Sequence, residues 1–187
     1  MKKTDYFALL EDLSKNTLLA VKIACGRTDT CGEEVVRIRL ECDRAVCTVE
    51  NALFEDFITP IERDNIAALA HSLWRVGDRA IELYEGFPQR REGIENGEEA
   101  LCVTLAEKLF EATQMLRQIR STEKMPDFCD FRELLRRAFE AHNSYLMLIN
   151  SGKAPRSSAH RAFAVARVRA EISRCFDELV EVMLGCI

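Results

Sequence analysis

Thr59-Pro60-Ile61-Glu62-Arg63-Asp64-Asn65-Ile66 is the stretch from which the rest of this 187-residue chain can be laid out. A hydroxyl residue, then proline, then glutamate three residues after the hydroxyl has the form of a helix start. Thr59 would be the N-cap, Pro60 would sit where its missing N–H costs nothing, and Glu62 would close a capping box. The stripe Ile66, Leu69, Leu73, Val76, Ala80 and Tyr84 follows at three- and four-residue steps, the period of an amphipathic helix. Two similar runs precede it. Phe7, Leu10, Leu13, Thr17, Val21 and Ala24 end at the break Gly26 to Gly32, and Val35, Ile38, Cys42, Val46, Val49 and Leu53 end near Phe57.

Beyond a Gly- and charge-rich linker the plan repeats. Leu101, Leu105, Leu109, Ala112, Leu116 and Ile119 mark a fourth helix, which stops at Ser121 to Pro126. Phe131, Leu135, Ala138, His142, Tyr145 and Ile149 mark a fifth. Ser151 to Pro155 forms a loop, and Val165, Val168, Ile172, Cys175, Leu179 and Met183 mark a sixth. The expectation is an all-α protein of six long helices in two sets of three: residues 1–86, a linker at 87–97, and residues 98–187. Glu41-Cys42-Asp43 and Glu140-Ala141-His142 occupy similar places in the two sets, as do the corners Thr59-Pro60 and Ala154-Pro155. Helices of ~20–28 residues would each be about 30–40 Å long.

Composition bounds the alternatives. With 48% hydrophobic and 30% charged residues, and only 8 Gly and 4 Pro, the chain is neither disordered nor of low complexity. Its longest stretch without a formal charge, Ala141 to Gly152, falls well short of the ~20 residues a membrane-spanning helix needs. The N-terminal Met-Lys-Lys-Thr-Asp-Tyr reaches an acid before any apolar run, so a cytoplasmic protein without a secretory signal is expected. The 8 cysteines show no C-x-x-C or zinc-ribbon spacing. They are expected to pack as small apolar residues of a reducing compartment, with Cys25 and Cys31, in a loop, as the exceptions.

The segment Asn51 to Glu82 resembles the PhoU-like proteins known as phosphate transport regulators or Pit accessory proteins. Phe57-Ile58-Thr59-Pro60-Ile61-Glu62-Arg63-Asp64-Asn65-Ile66, followed by Ala68-Leu69-Ala70, carries the resemblance. The six-helix order and the central linker extend it over the chain. It implies two three-helix bundles side by side and a non-enzymatic regulator acting on a phosphate transporter or a phosphate-sensing component. It also implies metal clusters held by E-x-x-x-D or D-x-x-x-D pairs on helices two, three, five and six. Carboxylates four residues apart share a helical face and can grip one hard cation or iron.

Here the leading carboxylate of every pair is replaced. The pairs fall on Arg39 and Asp43, Trp74 and Asp78, Ala138 and His142, and Arg167 and Glu171. Asp43, Asp78, His142 and Glu171 remain as candidate ligands, with Glu41 and Glu140 nearby. Two arrangements are open: a reduced site with a single weakly bound ion, iron or zinc, or a lost cluster whose groups are relics on a solvated face, where a nearby arginine favours an ion pair, in a helical adaptor without metal. His142 lies on an apolar stripe, where a hydrogen-bonded core histidine is an equal reading. Trp74 is expected to pack.

Other chemistries find no support. The residues three before His71, His142 and His160 are Ala68, Phe139 and Ser157, so the Glu-x-x-His pairs of di-iron bundles are missing. No phosphate-cradling glycine loop and no catalytic constellation is present, and an enzyme is not expected. The net charge of −5 is unevenly spread. From Arg132 to Arg174 nine basic residues (Arg132, Arg136, Arg137, Lys153, Arg156, Arg161, Arg167, Arg169, Arg174) face three acids (Glu133, Glu140, Glu171), a surplus of six. Arg132, Arg136, Arg137, Arg161, Arg167 and Arg169 thus form a candidate surface for an acidic partner, for phosphate, or for a lipid headgroup layer in peripheral membrane contact. The competing reading pairs this stretch with the acidic first half, within the molecule or across a homodimer. No nucleic-acid recognition motif accompanies the charge.

Overall fold

The computed structural model describes residues 4–28, 30–56, 58–87, 97–119, 125–126 and 128–187. Phe57, Ser121 and most of the linker at 87–97 lie outside the described residues. Within them the secondary structure is helical: α1 (Tyr6–Ala24), α2 (Gly32–Glu55), α3 (Arg63–Gly86), α4 (Gly97–Met115), α5 (Phe128–Asn150) and α6 (Ala159–Gly185), with a 3₁₀ turn at Arg156–Ser158.

Helix ends follow local chemistry. The Asp5 side chain accepts the Ala8 N–H at 3.1 Å to start α1. Gly26, at φ 65°, turns the chain out at its end, so that the N–H groups of Gly26 and Arg27 reach the Ile23 and Lys22 carbonyls at 2.9 and 2.8 Å. Gly152, at φ 75°, does the same for α5.

The start of α3 differs from the sequence expectation. The helix begins at Arg63, Glu62 makes no side-chain cap, and the Thr59 hydroxyl donates to the Ile61 carbonyl at 2.6 Å. The residues expected to form the first turn instead form a bend that buries Ile61. Arg63 explains why the bend is stable. Its guanidinium donates to the Leu53 carbonyl at 2.6 Å and to the Asp56 carbonyl, satisfying acceptors left open at the end of α2. The α4 stripe continues past the helix: Leu116 and Ile119 are buried, but in a turn closed by three-residue hydrogen bonds.

The packing explains the spacing of the stripes. α1, α2 and α3 touch one another, as do α4, α5 and α6, and the trios meet along α1–α4 and α3–α6. This is compatible with two three-helix bundles side by side. The four helices α1, α3, α6 and α4 form a ring, while α2 lies on α1 and α3, and α5 on α4 and α6, flanking it on opposite sides. One hydrophobic cluster runs through all six helices, with Leu13, Leu73, Leu105 and Val168 among its fully buried members. Each such side chain contributes on the order of 1.5–3 kcal/mol by leaving water.

Contacts across the trios fix the directions. Lys22 meets Glu107 at 2.8 Å and Asp5 meets Arg117 at 2.8 Å, so α1 and α4 run antiparallel. Gly185, at the end of α6, packs beside Ile61 and Asn65 at the start of α3, so that pair is antiparallel too. A pseudo-twofold axis perpendicular to the helices thus relates the trios. It places the α2–α3 corner and the α5–α6 corner at opposite ends.

Candidate functional site

The candidate ligands on the first trio are engaged by their own neighbours. On α2 and α3 the pairing is crossed: the Trp74 indole N–H donates to Asp43 Oδ1 at 2.7 Å, and Arg39 Nη2 lies 3.9 Å from Asp78 Oδ1 and 3.1 Å from Glu85 Oε2. Arg39 thus sets a positive charge beside Asp78, while Trp74 gives Asp43 an uncharged hydrogen-bond donor. Burial lifts the Asp78 carboxyl above its ordinary range, with Glu82 adding to the effect and Arg39 opposing it.

Glu171 on α6 is held between Arg75 of α3 at 3.6 Å and Arg174 at 2.9 Å. Glu41 pairs with Arg37 at 3.0 Å, and Glu140 with Arg136. Ala138 is fully buried in the core. Among the described residues no three His, Cys, Asp or Glu side chains come together to hold a metal ion. The donor set does not fit a carboxylate-bridged cluster. A guanidinium and an indole N–H occupy the space, and both are donors where a cation needs acceptors.

His142, the fourth candidate, belongs to a different and more deeply buried network. Its Nδ1 is hydrogen-bonded to Glu98 Oε2 at 2.8 Å, and Arg169 Nε lies 2.9 Å from Glu98 Oε1. Glu98 is 0% exposed, His142 6% and Glu99 7%. Arg161 donates from Nε to Glu99 Oε1 at 2.9 Å and from Nη2 to the Ala24 carbonyl at 3.0 Å. Its Nη1 donates to the Phe87 carbonyl at 3.4 Å. Phe139 lies under the Arg169 guanidinium at 5.1 Å, and the Phe163 ring meets His142 edge-on at 5.9 Å. The network ties the end of α1, the end of α3, the first turn of α4, and α5 and α6 into one joint. Both glutamates stand in the first turn of α4, where exposed N–H groups favour negative charge.

Sequence reasoning missed Glu98 and Glu99 because they adjoin the charged linker and read as its continuation. A signal was present: two glutamates in a helix's first turn, and two arginines on α6 each adjoining a stripe position, Arg161 beside Ala162 and Arg169 beside Val168. Arg161 and Arg169, expected on an anion surface, turn inward, with side chains only 17% and 14% exposed. Counting charge along the chain does not register depth. Arg132, Arg136, Arg137 and Arg167 are exposed as expected. The competing expectation, pairing with the acidic first half, is also not the main pattern. Arg161 and Arg169 find their acids on α4 of the same trio, and where the stretch from Arg132 to Arg174 forms an ion pair with the first trio it is through its acid Glu171, with Arg75.

Cys25, expected as a loop exception, is fully buried as the C-cap of α1, whereas Cys31 is exposed. Burial, reinforced by nearby Glu99, pushes the Cys25 thiol up to about 12, and burial with Cys25 and Glu98 nearby raises Cys102 well above its ordinary value. Burial also pushes Cys42 up to about 12 and raises Cys175. Cys42, Cys102 and Cys175 thus pack as expected, Cys25 packs against expectation, Cys186 is half-buried, and Cys31, Cys47 and Cys129 are exposed. Alkylation at mildly alkaline pH should therefore label Cys31, Cys47 and Cys129 in the native protein and reach Cys25, Cys42, Cys102 and Cys175 only in denaturant. Mass spectrometry of peptides after a short pulse checks this. Native labelling of Cys25 or Cys102 would contradict the packing described.

Among the described residues no helix is long and apolar enough to cross a membrane. No protein-family model matches the chain, and no curated protein matches it.

Proposed function

We propose that this protein is a PhoU-like regulatory accessory protein of inorganic phosphate transport, acting by protein contact and not by catalysis, in the cytoplasm. The observation that carries the reading is the placement of the Ile58-to-Ile66 segment. It forms the corner between two flanking helices of a six-helix, two-trio arrangement, and the Arg63 guanidinium ties that corner to α2. The segment that carries the resemblance thus falls on a corner of an all-helical fold compatible with the one the resemblance implies.

Metal does not enter this mechanism. Arg39 and Arg75 set beside Asp78 and Glu171 the positive charge that a cation would supply in a carboxylate cluster, and the Trp74 indole N–H donates to Asp43. A helical surface held rigid by such pairs can bind a partner without a metal cofactor.

Deletion of the gene, followed by measurement of radiolabelled phosphate uptake, tests the role, with affinity capture of the full chain testing for a phosphate transporter or sensor. An altered uptake rate and co-purification of such a component are expected. Unchanged uptake together with no captured transport or sensing component would overturn the proposal. Elemental analysis of protein purified without chelator should find iron, zinc, manganese and nickel each well below one per chain. A stoichiometric ion would reinstate the metal-binding reading of Asp43, Asp78, His142 and Glu171.

A further inference from the structure

The outer face of α5 and α6 combines exposed apolar side chains with unpaired positive charge. The two helices run antiparallel. Phe131 stacks on Phe176 at 3.7 Å near one end, and Tyr145, Ile149, Ala154 and Ala162 pack together near the other. Phe139, between these ends, is 53% exposed, and Phe163 and Met147, beside the second of them, are 54% and 71% exposed. On the same two helices and their corner Arg132 and Arg137 of α5, Arg167 of α6, and Lys153 and Arg156 are exposed and form no ion pair among the described residues.

Acids within the stretch are already engaged: Glu133 and Glu140 by Arg136, and Glu171 by Arg75 and Arg174. Negative charge returns only beyond it, at Asp130 on α5 and at Asp177 and Glu181 on α6. Arg132 to the end of α5 at Asn150, just before Lys153, spans about 27 Å at 1.5 Å per residue, so the cations lie along the length of a two-helix face and are not gathered at one point.

We propose that this face docks on an anionic lipid bilayer, with Phe139, Phe163 and Met147 entering the headgroup boundary and the five unpaired cations lying over the phosphates. Aromatic and thioether side chains ringed by Lys and Arg, without free carboxylates among them, are what a peripheral membrane face requires. An anionic leaflet supplies negative charge continuously over the whole span, whereas a protein partner would need acids at five matching positions.

The acidic counterpart within the molecule is less well matched. Residues 33–85 carry twelve acidic and six basic residues, a surplus of six acids, and their most exposed apolar groups, Phe54 and Ile58, gather at the α2–α3 corner. A second copy could bring that corner to only part of the basic face. The inference stands on charge and exposure alone and does not depend on the phosphate-transport reading.

Co-sedimentation of the full chain with phosphatidylcholine vesicles, with and without phosphatidylglycerol, tests it. Binding to the anionic vesicles, loss of binding to pure phosphatidylcholine, and release by salt are expected. Each cation near such a surface is worth about five-fold in partitioning, so the charge reversal R132E with R167E should weaken binding by at least about 25-fold. Met147→Ser should weaken it without changing the salt dependence. Circular dichroism melts of both variants should match the parent, because these side chains are exposed.

Three results would overturn the proposal. One is absence of binding to anionic vesicles. Another is binding that survives the double reversal. The third is self-association, or capture of an acidic polypeptide such as polyglutamate, that the reversal abolishes while vesicles remain unbound.

Discussion

Arg169→Met should lower the melting temperature by about 6–20 °C, the largest loss expected from any single charged residue of the chain. Removing one partner of a buried ion pair costs roughly 3–5 kcal/mol because the other charge stays buried, and for a chain of this size each kcal/mol is about 2–4 °C. Glu98 is the charge left behind, 0% exposed and retaining His142 Nδ1 at 2.8 Å. The double variant E98L with R169M should recover part of the loss, since apolar replacement of both partners removes the stranded charge. Arg136→Met, by contrast, breaks an exposed, solvent-screened pairing with Glu133 and Glu140 and should leave the melting temperature almost unchanged. Thermal melts of the four proteins measure the difference. If Arg169→Met and Arg136→Met cost the same, the buried joint has no special role in stability.

Residues 1–86 expressed alone should fail to fold cooperatively, although they contain a complete trio of helices. α1 and α3 are the reason. Each buries one side within its trio and another against the second trio, α1 on α4 and α3 on α6, inside one hydrophobic cluster. Without the partner trio that surface faces water, and a domain's net stability of about 5–15 kcal/mol does not survive exposing a row of core side chains worth about 1.5–3 kcal/mol each. The Ala24 carbonyl also loses the Arg161 guanidinium. Far-UV circular dichroism with urea titration checks this. A sharp transition in the isolated fragment, with an ordinary slope for its size, would mean that the trios are independent.

These two expectations rest on features of different legibility. The helices were plain in the sequence because Ile66, Leu69, Leu73, Val76 and Ala80, like the other stripes, are buried with the period their spacing required. The repeat at Thr59-Pro60 and Ala154-Pro155 does mark two corners at opposite ends. The start of α3 was misplaced because a capping pattern records which groups are available to bond. It does not record that Arg63 gains more by bonding Leu53 and Asp56 across the corner.

Glu98, Glu99, Arg161 and Arg169 illustrate the larger gap. A charged residue is normally outside, and only the meeting of α4 and α6, far apart in the chain, turns four charges into two buried ion pairs. The crossed pairing of Arg39 with Asp78 and Trp74 with Asp43 could be suspected from the replaced positions. Its geometry needed the α2–α3 register.

The antiparallel meeting of α1 with α4 and α3 with α6 has a consequence for how the molecule approaches its surroundings. Because the trios are related by a twofold-like operation while residues 33–85 carry a surplus of six acids and residues 132–174 a surplus of six bases, the repeat makes an electrically polar body from two similar frames. Such a body feels a torque near any charged surface and arrives already oriented, basic flank toward negative potential. The reach of that alignment is the ionic screening length, about 30 Å at 0.01 M salt and about 8 Å at physiological strength. Encounter rates should therefore fall with added salt more steeply than the contact area of either flank alone would suggest.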